Sequence, residues 1–320
     1  MNNTVTGLSI VVPFFNEEEN VEEVYKSIKQ TVDKIGLPYE IIFIDDGSLD
    51  GTYQIIMDIA SKDSKLKVVK FKFNSGQTSA MQAGFDYAQN DLIIPMDGDM
   101  QNDPEDIPLL ISKIEEGYDV VSGWRKKRMD KAISRRLPSI IANKVISYIG
   151  KVPLHDYGCS LKAYRKDILK NVNLYGEMHR FIPIYASWYG AKVTEVPVKH
   201  HPRTKGTSKY GLSRTFKVIL DLVTIKFLGR YSTKPIYFFG SLGFIGFFLS
   251  FLGAIYVVYN QIFNQRDIID SPVFLFSIMA FLLAAQFVLM GLLAEIQIRI
   301  YHEAQHKRPY IVETTLNIKK

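Results

Sequence analysis

The sequence predicts an α/β domain, a mostly parallel sheet with helices on both faces, followed by a short membrane-anchoring segment. Three observations carry this reading. Short β-branched apolar runs alternate with amphipathic stretches of about 10–15 residues through the first hundred positions, the pattern of βαβ units. Acidic and amide residues gather wherever one of those runs stops. Two uncharged stretches, 235–259 and 271–294, each exceed the ~20 residues that a helix needs to cross the hydrocarbon core.

The elements follow in order. LSIVVPFF (8–15) reads as a buried strand. Val21, Val24, Ile28 and Val32 then recur at helical spacing, and Gly36 suits a C-cap. YEIIFIDDGS (39–48) is a second strand, stopped by Asp and Gly, and TYQIIMDIASKD is a helix. LKVVKFKF is a third strand, GQTSAMQAGFDYAQ a helix, and DLIIPMDGD a fourth strand. Ligands of such sheets bind beyond the carboxyl ends of the strands. There the chain places Pro13, Phe14, Asn16 and Glu17, then Asp45, Asp46, Gly47 and Ser48, then Asn74, Ser75 and Gly76, then Asp97, Gly98 and Asp99. Ser48, Asp50 and Asn74 also suit ordinary helix capping. Four polar ends on one edge describe a pocket.

Asp97 and Asp99, one residue apart across Gly98, can both turn toward one hard cation, Mg²⁺ or Mn²⁺, that shares oxygen ligands with a substrate diphosphate. No G-x-x-x-x-G-K-[ST] run is present, which argues against an ATPase. A basic cluster, WRKKRMDKAISRR (124–136), follows. Arg suits phosphate through its bidentate fork, while Lys126, Lys127 and Lys131 read as a solvated surface. Asp156 is the best remaining acid or base, or else a partner that holds a nearby Arg; His155 beside it reads as structural.

VVPFFNEEENV, IIFIDDGSLDGT, NSGQTSAMQAG, MDGDMQNDPE and RTKGTSKYG resemble the successive motifs of the family-2 inverting glycosyltransferases, and more narrowly their polyprenyl-phosphate branch. The resemblance covers nearly all of 1–212 and implies a GT-A-like fold. It implies that Pro13 to Glu17, Asp46 and Gly76 hold the nucleotide. It also implies that Asp97, Gly98, Asp99 and Gln101 form the metal and diphosphate motif, and that Arg203, Ser208 and Lys209 sit on a loop over the diphosphate. Arg125, Arg135 and Ser139 fall where the acceptor phosphate is expected; Asp99, Asp156 and Arg125 are the catalytic candidates. The processive Q-x-x-R-W string is missing, which points to transfer of a single sugar. The expected reaction moves a hexose, with glucose from UDP-glucose favoured over mannose from GDP-mannose, onto polyprenyl (undecaprenyl) phosphate with inversion. A catalytically silent scaffold would be expected to have lost D-x-D or R-x-x-G-x-S-K, and both are intact. Spans without central charges offer no ion path for a transporter.

Composition fits this picture. The chain has 320 residues, 47% hydrophobic, with a net charge of +6, read as attraction to a membrane surface rather than to nucleic acid. Cys159 is the only cysteine, so no intrachain disulfide forms, as suits a reducing compartment. The expected organisation is a cytoplasmic transferase domain (1–212), a junction (213–234), a two-helix hairpin (235–298) and a cytoplasmic tail (299–320). Only Arg266 is cationic in the hairpin loop, which places the soluble domain and both termini in the cytoplasm of a bacterial-type inner membrane. The junction, with Phe216, Ile219, Leu220, Val223 and Phe227 at helical spacing, reads as an interfacial helix or as a core helix of the domain. Gly240, Gly243, Gly246 and Gly253 permit close helix packing and a homo-oligomer.

Overall fold

The computed structural model describes residues 4–126, 143–202 (apart from 145, 149, 171, 173 and 175–177), 236–264, 267, 271–304 and 312–317. The junction 213–234 lies outside them. The chain forms two compact units, one of Met1–Leu222 with Arg308–Lys320, the other of Val223–Lys307.

In the first unit, the described strands are β1 (Leu8–Phe14), β2 (Tyr39–Asp45), β3 (Leu66–Phe71), β4 (Leu92–Pro95), β5 (Val120–Trp124), β6 (Lys162–Arg165), β7 (Val193–Pro197) and β8 (Val312–Leu316). They make one sheet in the order β7-β5-β6-β4-β1-β2-β3-β8. The pairs β1–β2, β1–β4, β2–β3 and β5–β7 are parallel; β6 runs antiparallel to β4 and β5, and β8 antiparallel to β3. The helices described along their whole length include α1 (Val21–Ile35), α2 (Thr52–Ala60), α3 (Gln77–Tyr87), α4 (Ile107–Glu115), α5 (Lys166–Leu169) and α6 (Ile182–Trp188).

Strand alternation divides the side chains of β1 between two layers. Ile10, Val12 and Phe14 join one core cluster with Val24, Ile28 and Val32 of α1 and Leu110 and Ile114 of α4. Val11 faces the other way, toward α3, where a Cβ on Gly84 would fall 2.1 Å from Val11 Cγ1. Only a glycine lets that helix lie so close to the sheet. The architecture is the mostly parallel, helix-covered, GT-A-like sheet expected from the sequence.

The strands end earlier than their apolar patterns do. β4 stops at Pro95, so Asp97 and Asp99 stand in a loop rather than on the strand, and Met100 turns the chain with φ 60°. The region 299–320, read from the sequence as a tail, contains the end of a helix and the strand β8, which extends the sheet beyond β3.

The second unit contains α7 (Ile236–Asn264) and α8 (Pro272–Ala304). Their apolar spans, Tyr237–Phe263 and Pro272–Ala294, have mean hydropathies of 2.1 and 2.5, and only 11% of the 18-residue apolar window in each is buried, unlike core helices of a soluble protein. Gly243, Gly246 and Gly253 pack α7 onto α8, against Val288, Ala284 and Ser277, whereas Gly240 has nothing within 4 Å of its would-be Cβ. Ser250 Oγ donates to Ser277 O across the pair at 2.8 Å.

Candidate active site

Because β1 to β4 are parallel, the loops after them open on one edge of the sheet. The β1–α1 and β2–α2 loops are laced together there. Asn16 N donates to Ser48 Oγ (3.0 Å), Leu49 N to Asn16 Oδ1 (2.8 Å) and Glu17 N to Thr52 Oγ1 (2.8 Å). Asn16 sits at φ 51°, and its side-chain bond helps hold that left-handed backbone. Asp50, one residue before the Gly51 N-cap of α2, accepts from Thr52 N at 3.0 Å. Both oxygens of Asp46 accept backbone bonds from the entry to α3, from Ser75 N (2.7 Å) and Gly76 N (2.9 Å). Burial lifts the pKa of Asp46 to about 6, against the lowering effect of those two N–H groups.

Gly98 is needed where it stands: a Cβ there would lie 2.5 Å from the Phe14 ring. Phe14 thus sets the height of the loop that carries both acidic side chains. Asp97 Oδ1 accepts from Gln77 Nε2 at 2.7 Å, so α3 is tied to the loop. Asp99 is buried, and its Oδ1 accepts from Gln101 N at 3.2 Å. Desolvation, then the neighbouring charge of Asp99, push the pKa of Asp97 up. A carboxylate pair under that strain is the condition a cation relieves.

The antiparallel β6 brings residues to this edge from later in the chain. Arg125 grips Asp156 in bidentate fashion, Nε to Oδ2 at 2.7 Å and Nη2 to Oδ1 at 3.0 Å. Gly158 N also donates to Asp156 Oδ1, at 3.1 Å. Burial disfavours the Arg125 charge, and its pairing with Asp156 outweighs this, leaving its pKa above the usual value. Of the two readings of Asp156, the geometry fits the holding partner. Lys162, buried at the start of β6, donates to Tyr157 O at 3.3 Å and to Cys159 O. Desolvation lowers its pKa, with Asp156 and Asp97 among the nearby charges that oppose this. Ser160 bonds Asp97 and also accepts from Asn102 Nδ2 at 2.6 Å. Sequence reasoning passed over Gln77, Ser160 and Lys162, although their neighbours in the motifs flanked the right loops. His155 pairs with Glu195 and stacks on Trp124 with centroids 4.4 Å apart, a surface role.

After β7 the chain runs along the acidic loop: Asn102 bridges His200, and His201 N donates to Gln101 O at 2.9 Å. Arg203 follows two residues later. Arg203, Ser208 and Lys209, together with Arg135 and Ser139, lie outside the described residues. The described edge brings together Pro13 to Glu17, Asp46, Gly76, Asp97 to Gln101, Arg125 and Asp156. Among the described residues no cluster of three or more His, Cys, Asp or Glu could hold a metal. Two carboxylates therefore fit a hard cation that takes its remaining oxygens from a diphosphate and water, and not a closed all-protein metal centre.

With this geometry established, comparison with known proteins is informative. The profile described as glycosyl transferase family 2 matches residues 9–172. Dodecaprenyl-phosphate galacturonate synthase of Rhizobium johnstonii is 42% identical over 309 residues, covering 95% of this chain and 91% of its own. Undecaprenyl-phosphate 4-deoxy-4-formamido-L-arabinose transferase of Shewanella sediminis is 36% identical over 317 residues, covering 98% of this chain and 94% of its own. Among solved structures, glucosyl-3-phosphoglycerate synthase from Mycobacterium tuberculosis, in complex with Mn²⁺, UDP and phosphoglyceric acid, superposes with a TM-score of 0.53 at 20% identity. That match covers 69% of this chain and 78% of the other, and it speaks for the fold alone.

Proposed function

The chain belongs to glycosyl transferase family 2, and from that membership we propose that it moves one sugar from a nucleotide-diphosphate donor to polyprenyl phosphate, with inversion, at the sheet edge that carries Asp46 and the Asp97–Asp99 pair. The observation that carries this is the convergence on one edge of an acidic pair, Asp99 buried and Asp97 half-buried, and a half-buried Arg125 held by Asp156, in a chain that also has two spans fit for a bilayer. The catalytic domain faces the cytoplasm, as the paucity of cations in the hairpin loop favours.

The acceptor needs little activation. A phosphate monoester has a second pKa near ~6 and is largely dianionic at neutral pH. Its oxygen attacks the anomeric carbon directly as the bond to the diphosphate breaks, so an α-linked donor gives a β-linked product. Asp46 and the Pro13–Glu17 segment hold the nucleoside, with Gly76 at the entry to α3. Asp97 and Asp99, with Gln101 beside them, are the residues that would hold Mg²⁺ or Mn²⁺, and such an ion would supply positive charge for a leaving diphosphate. Arg203, Ser208 and Lys209 bind that diphosphate, and Arg125, Arg135 and Ser139 receive the acceptor phosphate. Asp156 acts through Arg125, as a positioning residue.

The donor we propose is a UDP-hexose, with glucose as the sugar favoured by the sequence. A hexuronate is the competing reading, favoured by the 42% identical relative whose name specifies galacturonate. The test is a panel of labelled UDP-glucose, UDP-galactose, UDP-galacturonate, UDP-N-acetylglucosamine and GDP-mannose with undecaprenyl phosphate and purified membranes, followed by lipid extraction. Label in the lipid phase from one UDP-sugar supports the proposal. Label from GDP-mannose alone replaces the donor, and none from any donor, with enzyme shown to be folded, overturns the reaction.

A further inference from the structure

The turn from Asp156 to Ser160 belongs to neither a helix nor a strand, yet both sides of the site rest on it. At one end Asp156 holds Arg125. At the other, the Ser160 hydroxyl accepts from Asn102 Nδ2 and donates to the Asp97 carboxylate, which also accepts from Gln77 Nε2. Strand pairing does not set this turn: the ladder between β5 and β6 begins at Ser122 and Lys162, after the turn has ended. Lys162 sets it instead. It is 3% exposed, and its ammonium reaches back to donate to Tyr157 O at 3.3 Å and to Cys159 O. Gly123 makes room for the arrangement: a Cβ there would fall 2.8 Å from Leu161 O and 2.9 Å from Cys159 Sγ. Burying an ammonium costs free energy, and an apolar chain of the same length would fill the space without that cost. What the ammonium adds is a pair of directed bonds on the turn, between its two ends.

We infer that Lys162 is a positioning residue for both substrates: by locking the turn it sets the Asp97 carboxylate, through Ser160, and the Arg125 guanidinium, through Asp156, in one frame. The inference rests on the proposed reaction and deepens it, because it names what aligns donor with acceptor. Direct displacement requires the phosphate oxygen and the anomeric carbon to meet in line, and small misplacements cost rate steeply. The groups proposed to hold the two substrates come from separate parts of the chain, the loop after β4 and the end of β5, and this turn touches both. The sign of the effect separates a lock from a role in charge. An ammonium beside a cation site repels the cation, so if charge were all, losing it would tighten the metal. Losing a lock frees the turn, and both ligands bind more weakly.

The test uses the full chain, purified in detergent. Its readouts are Mn²⁺ binding by electron paramagnetic resonance in the presence of UDP, retention of labelled undecaprenyl phosphate in mixed micelles, and thermal unfolding. Ser160→Ala should weaken Mn²⁺ binding by about tenfold to a hundredfold, the usual cost of losing a group that orients a metal ligand, and leave lipid-phosphate binding unchanged. Asp156→Asn should do the reverse. Lys162→Met should weaken both, and Lys162→Arg, which keeps charged donors, should restore most of each. If Lys162→Met does not fold, Lys162→Gln, uncharged and one bond shorter, takes its place. Tighter Mn²⁺ binding in the uncharged variant, weakening on one side alone, or a lower melting temperature with both affinities unchanged would each overturn the inference. So would an unchanged Mn²⁺ affinity in Ser160→Ala. Wild type that binds neither Mn²⁺ with UDP nor the lipid phosphate refutes the proposed reaction itself, and the inference falls with it.

Discussion

Replacing Asp156 by leucine strands a guanidinium. The Arg125 and Asp156 side chains are 13% and 4% exposed, so solvent screens little of what remains. Removing one partner of such a pair costs about 3–5 kcal/mol, because the other charge stays buried and unpaired. For a domain of this size, at roughly 2–4 °C per kcal/mol, that is a fall of about 6–20 °C in Tm. The double variant Arg125→Met/Asp156→Leu should recover most of the loss, since two apolar side chains can replace a buried pair at small cost. Asp156→Asn keeps the shape and one accepting oxygen, and should lose less stability while retaining measurable transfer. The assay is thermal unfolding of the detergent-solubilised protein beside sugar transfer across pH. If Asp156→Asn melts like wild type yet abolishes transfer and removes the acidic limb of the pH profile, and the double variant is no more stable than Asp156→Leu, then Asp156 is the general base and the holding role is wrong.

Chelation of divalent cations should abolish transfer and Mn²⁺ or Mg²⁺ restore it, while Asp99→Ala should lose most activity and keep a near-native melt; full turnover in excess chelator would refute the metal assignment. Gly98→Ala drives a methyl into the Phe14 ring, so it should cost about 1–3 kcal/mol and weaken donor binding by calorimetry, with Phe14→Leu relieving part of the defect. Asp46 has its folded pKa, about 6, above the ordinary 3.8 of an unfolded aspartate. Its protonated form therefore favours the fold, and stability is lost as pH rises from about 4 to about 6, by roughly 3 kcal/mol at 1.36 kcal/mol per unit. Denaturant titrations should show that loss in wild type and not in Asp46→Asn. Arg135→Ala should raise the apparent acceptor constant and leave donor affinity within a few-fold, and an equal effect of Arg136→Ala would reduce it to surface charge.

The parallel half of the sheet was legible because its strands are uniformly apolar and stop at abrupt polar clusters. LSIVVPF and YEIIFID are buried almost throughout, so no face had to be guessed. The gathering of polar loops followed from topology: parallel strands deliver their polar ends to one edge. The antiparallel additions were not legible. β6 is four residues long, and it acquires meaning only beside β4 and β5, which lie far from it in sequence. Ser160 and Lys162 are unremarkable in DYGCSLKAY until that pairing sets them beside Asp97. In the hairpin the limit was different: nearly every residue is apolar, so composition revealed the spans and concealed which face meets which.

The pairing of β8 with β3 bears on how the chain is assembled. Eight described strands share one sheet, and the last of them is made only after both apolar helices have been synthesised. Until then β3 presents an unpaired edge, the kind of surface that recruits other strands. Were the hairpin to cross the membrane twice, as proposed, a chain in which one helix failed to insert would leave β8 on the far side, away from that edge. In that topology, completion of the sheet would report that both helices had inserted. A chain with a single crossing keeps a sticky edge that quality-control proteases and chaperones can read.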